Sequence, residues 1–192
     1  MRLGGLAAIA EDDSVALRLR FFGPVPQPDQ LYFRGPVLST FDGRDWTRLV
    51  PNFPAAQRPR LELQPLGAPL RYEMTLEPSQ LPLLPLLEMT PDRADSAPRI
   101  EGWLLTLRSD GQWQTDRPLQ ERQRVEVSAW LDHRHGPQQD VLGLRDLVDL
   151  PPNANPRTLQ WAAQLHQQPS LLNADARTLA NAVLAHIRSG GY

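Results

Sequence analysis

Cysteine is absent from all 192 residues. That one absence removes disulfides, Cys-type zinc sites and thiol nucleophiles together. It leaves the compartment open, since a disulfide-free domain folds on either side of a membrane. Lysine is absent too, so the 20 basic residues are all arginine. They are scattered singly or in pairs such as Arg18/Arg20 and Arg122/Arg124. No basic stripe interleaved with aromatics exists, which argues against nucleic acid as a partner. With 22 acidic residues the net charge is −2. Long apolar runs are also missing. The longest, Leu81 to Leu87, is short and broken by prolines, so no segment here reads as a membrane helix. The opening MRLGGLAAIAEDD turns acidic too early for a secretory signal.

What the chain has in excess is proline. Of the 20 prolines, 15 cluster at 24–28, 51–69, 78–91 and 151–156. Such spacing punctuates short strands and long loops and disfavours a helical bundle. The length suits one full domain and part of a second, with a real core.

Between the prolines the period is two. Residues 1–12 read as a loose lead-in. Val15, Leu17, Leu19 and Phe21 alternate with Arg18 and Arg20, the pattern of a half-buried strand with a solvated face. Leu70, Tyr72, Met74 and Leu76 alternate in the same way with Arg71, Glu73, Thr75 and Glu77. A short strand is expected at Arg60–Gln64, and Leu81–Met89 as a covered edge strand. Residues 90–99 read as a polar loop. Glu101–Arg108 and Gln112–Thr115 flank a Ser109-Asp110-Gly111 turn. Val125, Val127 and Ala129 share one face of a last strand ending at Leu131.

The stretch Tyr32 to Trp46, YFRGPVLSTFDGRDW, reads as a longer hairpin. Asp42-Gly43 is its turn, because glycine takes positive φ freely and aspartate tolerates it. Gly35-Pro36 interrupts the first strand at an edge or bulge, since proline offers no ladder N–H. Trp46, returning on the second strand, is expected in the core. On that expectation Trp46→Ala costs about 3–5 kcal/mol.

After Gly136 the period changes. One helical turn is expected within 141–150. Asn155-Pro156 predicts a helix start, with Asn as N-cap and Pro at the first position, running to about Gln168. Asn173 or Asp175 caps a second helix, whose Ala176, Leu179, Ala180, Val183, Leu184 and Ile187 recur at helical spacing until Gly190-Gly191 stops it. The expected fold is α+β but mainly β: a β-sandwich or open barrel of about seven strands followed by two C-terminal helices. The division is set at a β-rich unit, residues 1–140, and a helical unit, residues 141–192.

The hairpin residues Tyr32, Arg34, Gly35, Asp42, Gly43, Arg44 and Trp46 resemble the YWRG…DGRxW segment of TgpA-type bacterial inner-membrane transglutaminase-like proteins, with Phe33 where Trp is usual. YEMTLEP at 72–78, Leu150-Pro151-Pro152 and Asn155-Pro156-Arg157 match further on, in the same order. The resemblance implies membrane helices upstream, a periplasmic β-rich region, and a downstream transglutaminase core with a Cys-His-Asp triad. Met1 then marks the edge of an excised region, and the helices at 156–188 lead into that core. None of the triad carries over, so no residue here is assigned as catalytic, cofactor-binding or metal-binding. The implied role is accessory: a periplasmic region that spaces the core from the membrane and covers or orients its cleft. Its partner is the transglutaminase core of the same polypeptide, and it meets the membrane only through helices outside this stretch. Two short terminal helices have little of their own to pack on. The Leu159/Leu165 and Leu179/Val183/Ile187 faces are therefore expected to be incompletely covered. Gln138-Gln139 and Gln167-Gln168 are expected as accessible glutamine donors, while the missing lysines leave no side-chain amine as acceptor.

Other residue groups compete for a site. His133 and His135 would point to one side of a strand, as two metal ligands do. No third ligand stands at spacing, and Gly136-Pro137 follows at once, so Asp132–His135 is read as a surface loop. His166 and His186 are read as solvent-facing helix residues. Asp42, Arg44, Asp45 and Arg34 are read as a turn with cross-strand ion pairs. The alternative function is a binding module for an envelope peptide or glycan. Trp113, next to the Asp110-Gly111 turn, is its best exposed stacking residue, and Trp130 is placed with Trp46 in the core.

Overall fold

The computed structural model describes residues 14–60, 62–137 and 139–190. The expectations for residues 1–12, Gln138 and Gly191 lie outside the described residues. In chain order the strands are β1 (Leu17–Phe21), β2 (Thr40–Phe41), β3 (Trp46–Thr47), β4 (Gln64–Pro65), β5 (Leu70–Leu76), β6 (Leu83–Leu84), β7 (Leu105–Leu107), β8 (Trp113–Thr115), β9 (Gln123–Ala129) and β10 (His133–Arg134). Two helices follow, α1 (Pro156–His166) and α2 (Ala176–Ser189).

β5 is the organising strand. It pairs antiparallel with β1 from Leu17↔Leu76 to Phe21↔Tyr72, and with β9 from Leu70↔Ala129 to Leu76↔Gln123. Its alternation sends Tyr72, Met74 and Leu76 inward, joined by Val125, Val127 and Ala129 of β9. The outer face is charged. Arg124 Nε lies 3.8 Å from Glu73 Oε1, and Glu77, just past β5, pairs with Arg18 and with Arg122 Nε at 3.0 Å. A second three-stranded sheet, in the order β6-β8-β7, adds Leu84 and Trp113 to the same core. Leu86, Leu87 and Leu119 complete it. Small two-stranded pairings, β2-β3 and β4-β10, lie outside these sheets.

Among the described residues the fold is β-rich with several sheets, no closed barrel and two C-terminal helices, as the alternating strands and helical spacing predict. The details differ in instructive ways. The hairpin around Asp42-Gly43 is much shorter than expected: only Thr40↔Thr47 and Phe41↔Trp46 pair across it. Gly35-Pro36 ends the ladder so firmly that Tyr32–Arg34 joins another partner, through the Phe33↔Leu87 bridge. The turn itself is as read, with Gly43 at φ 103°. The expected strand at 60–64 is displaced to β4, and it pairs with β10. The 90–99 stretch is less polar in place than in composition, since Thr90, Pro91, Ser96 and Pro98 are buried.

Two tryptophans exchange roles. Trp46 is 41% exposed, its ring stacked on Phe41 at 4.9 Å between centroids. Trp113 is 4% exposed, and its Nε1 donates to the Thr90 carbonyl at 2.8 Å. The reason is register. Trp46 sits in a two-residue ladder outside the two three-stranded sheets, whereas Trp113 sits on the central strand β8, between Leu84 and Leu107. Trp130, also expected in the core, is half-buried.

The chain divides into two compact units, Met1–Asp149 and Leu150–Tyr192. The sequence reading put this division at 140/141. The difference comes from the 3-10 segment Leu142–Leu147, which is tied into the first unit. Asp146 accepts from the Asn52 backbone N at 3.0 Å and from its Nδ2 at 2.9 Å. Gly143 sits so close to the 57–59 backbone that an added Cβ would lie 2.7 Å from the Gln57 carbonyl oxygen.

In the second unit Asp175 caps α2 by accepting from the Thr178 backbone N at 2.8 Å. Asn155 holds the N-cap position of α1 but does not cap through its side chain. Its backbone is left-handed, φ 49°, and Pro156 follows at the first helical position.

The exchange of the two tryptophans gives a direct test. Trp113→Ala should destabilise the first unit by about 3–5 kcal/mol through lost burial and an orphaned Thr90 carbonyl. Trp46→Ala should cost well under half of that, and urea unfolding of the two variants measures the contrast.

A pH test follows from Glu77. Its hydrogen bonds from Arg122 and then Arg18 hold the carboxyl below its ordinary value of 4.5. A depressed carboxyl stabilises the fold above the unfolded-state value, and that contribution is lost as pH falls through the folded one. The melting temperature should therefore exceed that of Glu77→Gln at pH 7, and the gap should close as pH falls below about 4.

Candidate functional site

The densest polar constellation among the described residues of the first unit forms where Tyr32–Arg34 meets Leu86–Glu88. The Arg34 N–H donates to the Leu86 carbonyl at 2.9 Å and the Glu88 N–H to the Tyr32 carbonyl at 3.1 Å. The intervening Leu87 N–H faces inward and donates to the Tyr72 hydroxyl at 3.1 Å. Burial pushes that phenol up to about 12, so it stays neutral. The segment is thus anchored to the central strand.

From this anchor Arg34 reaches two partners. Its guanidinium pairs with Glu88 and donates through Nη1 to the Asp110 carbonyl at 3.1 Å. Gln112 continues the network, giving Nε2 to the Gly35 carbonyl at 3.1 Å and accepting from Arg48 Nη2 at 2.7 Å. The Arg34-Gly35 pair, read from the sequence as part of one hairpin, therefore joins three separate segments. The expected charged group of Arg34 with Asp42, Arg44 and Asp45 does not assemble around Arg34. Asp42 instead accepts from the backbone N–H groups of Arg44 at 2.8 Å and Asp45 at 2.7 Å. Those bonds, Asp45's foremost, hold its carboxyl below the ordinary value.

Of the expected surface loop Asp132–His135, only His133 and Arg134 pair as strand β10, while Asp132 and His135 lie outside it. His133 opens β10, and His135 follows it two residues on. Their rings lie 5.5 Å apart, tilted by 30°. The missing third donor is Glu88, distant in sequence: one donor atom from each of Glu88, His133 and His135 falls within 4.8 Å of the others. His135 Nε2 is 3.7 Å from Glu88 Oε1. His133 Nδ1 lies 3.0 Å from both the Trp130 and the Leu131 carbonyls. No sequence signal links residue 88 to 133–135, since only the fold brings them together.

A groove of about 390 Å³ lies elsewhere on the first unit, lined by Arg48, Arg58, Arg108, Pro59 and Asp146 among others. Its Asp146 carboxylate is already engaged by Asn52, and the Asp110 carboxylate that also lines it accepts from the Gln112 N–H at 3.0 Å. In the second unit His186 stacks on Trp161 at 4.6 Å, and His166 is exposed. Leu159, Leu184 and Ile187 are 48%, 47% and 47% exposed. Gln139, Gln167 and Gln168 are exposed as well.

The comparisons with known proteins agree on one family. A family model described as the TgpA N-terminal domain matches residues 1–135. A protein-glutamine gamma-glutamyltransferase of Pseudomonas aeruginosa is 30% identical over 178 residues, covering 91% of this chain and 25% of the relative. Two crystal structures of the periplasmic domain of TgpA from Pseudomonas aeruginosa, one bound to ethylmercury, match with a TM-score of 0.74 and 28% identity. They cover 97% of this chain and 60% and 59% of those chains. The chain thus spans a quarter of the curated relative's length and about three fifths of the crystallised domain.

The network around Arg34 yields a stability test. Arg34→Met should cost about 1–3 kcal/mol, because half-buried charged hydrogen bonds are lost and Glu88 keeps no guanidinium partner. Arg34→Lys should recover little, since one ammonium cannot reproduce a fork that reaches Glu88 and Asp110 at once. Chemical unfolding monitored by circular dichroism reads both.

Proposed function

This chain belongs to the TgpA N-terminal domain family, and we propose that it serves the catalytic core of its own polypeptide by positioning or covering it. It is a non-catalytic periplasmic region of a transglutaminase-like protein, on the periplasmic side of the bacterial inner membrane. No helix among the described residues is long and apolar enough to cross a membrane. For the whole protein the proposed activity is glutamine γ-glutamyl transfer. That chemistry needs a thiolate to attack an unactivated carboxamide, a histidine to take the thiol proton, and a carboxylate to orient the histidine. The 192 residues hold no cysteine, so the nucleophile must come from elsewhere in the polypeptide.

The observation that carries the supporting role is the uncovered apolar surface of the second unit. Leu159 on α1, with Leu184 and Ile187 on α2, leaves large aliphatic groups half in water. Helix faces of this kind are stable when another layer covers them. In this reading that layer is the transglutaminase core, and α1 and α2 are its first helices. In the first unit the bonds of Arg34, Gln112 and Tyr72 tie distant segments together, which suits a support.

The alternative, an envelope peptide or glycan held by the β-rich unit, has lost its best residue, because Trp113 is buried. It retains one observation in favour, the exposed Trp46 stacked on the half-buried Phe41 of the short hairpin.

An amine-incorporation assay on a glutamine-bearing peptide tests the main reading. The 192-residue chain should show no incorporation. A longer polypeptide extending past Tyr192 should show it, and alkylation of thiols should abolish it. Leu184→Asp with Ile187→Asp in that longer polypeptide should lower activity while leaving the melting of the β-rich unit unchanged. Incorporation by the 192-residue chain, resistant to thiol-blocking reagents, would overturn the reading.

A further inference from the structure

We propose that Glu88, His133 and His135 form a divalent transition-metal site, best suited to Zn²⁺, on the β-rich unit. The site is independent of any transglutaminase chemistry.

Two imidazoles and one carboxylate are the donor set of an open zinc site, with a fourth position left for water or a ligand from outside. Nitrogen-rich donors of this kind also discriminate against Mg²⁺ and Ca²⁺, which prefer all-oxygen shells. Geometry supports the set. One donor atom per residue already lies within 4.8 Å of the other two, so small side-chain rotations bring them onto one ion. His133 lies on β10 and His135 just past its end, with their rings 5.5 Å apart.

The surroundings orient these donors. Nδ1 of His133 faces the Trp130 and Leu131 carbonyls, each at 3.0 Å. Carbonyls only accept, so Nδ1 carries the proton and Nε2 keeps its lone pair. A ligating histidine is commonly arranged this way, its other nitrogen donating to a carbonyl. Glu88 is held in turn. Its backbone is fixed by the Tyr32 carbonyl, and one carboxylate oxygen is paired with Arg34. That same oxygen, Oε1, lies 3.7 Å from His135 Nε2, so an ion would share it with the guanidinium or take Oε2 after a rotation of the carboxylate. Two of the three donors therefore have a supporting partner that sets their direction. His135, the most exposed of the three, supplies the mobile ligand that closes the site.

The guanidinium of Arg34 sets a limit on affinity. It brings a positive charge to the carboxylate that the metal would share, so binding is expected to be weaker than at a closed structural site. A bridging carboxylate satisfies both cations at once, as hydrogen-bonded metal carboxylates do.

The test uses the untagged 192-residue chain, stripped with a chelator, and Zn²⁺ alone as the probe. Titration against a chromophoric zinc indicator should give one ion per chain. Substituted Co²⁺ should show the visible d–d absorption of a low-coordinate nitrogen and oxygen site. His135→Gln and His133→Gln should each weaken binding by roughly tenfold or more. His166→Gln and His186→Gln, which change the helical histidines, should leave it unchanged. Zn²⁺ should also raise the melting temperature of wild type and not of His135→Gln, since binding to the native state stabilises it by mass action. His135 is exposed, so its variant is expected to fold, and far-ultraviolet circular dichroism verifies that. The proposal is overturned by a stoichiometry far below one, by unchanged affinity in the folded His135→Gln protein, or by equal loss in the helical-histidine variants.

Discussion

The first unit depends on the double pairing of β5. All seven of its residues are in register with β9, and five with β1, so the strand cannot shift without breaking two ladders. A slip of one residue would also turn Tyr72, Met74 and Leu76 into solvent and Arg71, Glu73 and Thr75 into the core. Burying those charges unpaired would cost far more than the ladder returns. One register is therefore selected by hydrogen bonding and burial together.

From that strand the rest of the polar architecture is reached in few steps. Tyr72 is fully buried and needs a partner for its hydroxyl, and the Leu87 N–H provides one. This fixes the bridge between Phe33 and Leu87, and the bridge places Arg34 beside Glu88. Arg34 and Gln112 then tie down the Asp110 turn and the Gly35 carbonyl. The family-like residues at 34 and 35 owe their place to this cross-linking of distant segments. The hairpin that follows them in sequence contributes little to it.

The second unit is built differently. Its helices obey local rules, with Asp175 as a cap and Pro156 opening α1, but they leave leucines and an isoleucine half exposed. Local chemistry is enough to start these helices, and tertiary cover is what would finish them. The β-rich unit has a buried core of its own, whereas α1 and α2 bury few of their aliphatic side chains, and that contrast underlies the supporting role proposed for the chain.

By itself the sequence determined whatever depends on neighbours in the chain. Period-two alternation marked β1, β5 and β9, the Asp110-Gly111 turn marked the β7–β8 return, and 3.6-residue spacing marked α1 and α2. The ordered motifs marked the family, and the missing cysteine marked the lack of a thiol nucleophile. Only the tertiary structure decided what depends on residues far apart. Trp46 and Trp113 carry similar strand signals, yet one faces water and the other the core, because the first sits in a two-residue ladder outside the two three-stranded sheets and the second on the central strand of one. Asn155 has the right identity for a cap but a left-handed backbone, set by the chain around it. His133 and His135 looked like a pair without a third donor, and Glu88 arrives only through the Tyr72–Leu87 anchor. Local pattern reports which way a side chain points, while its partner is set by how the sheets and loops fold together.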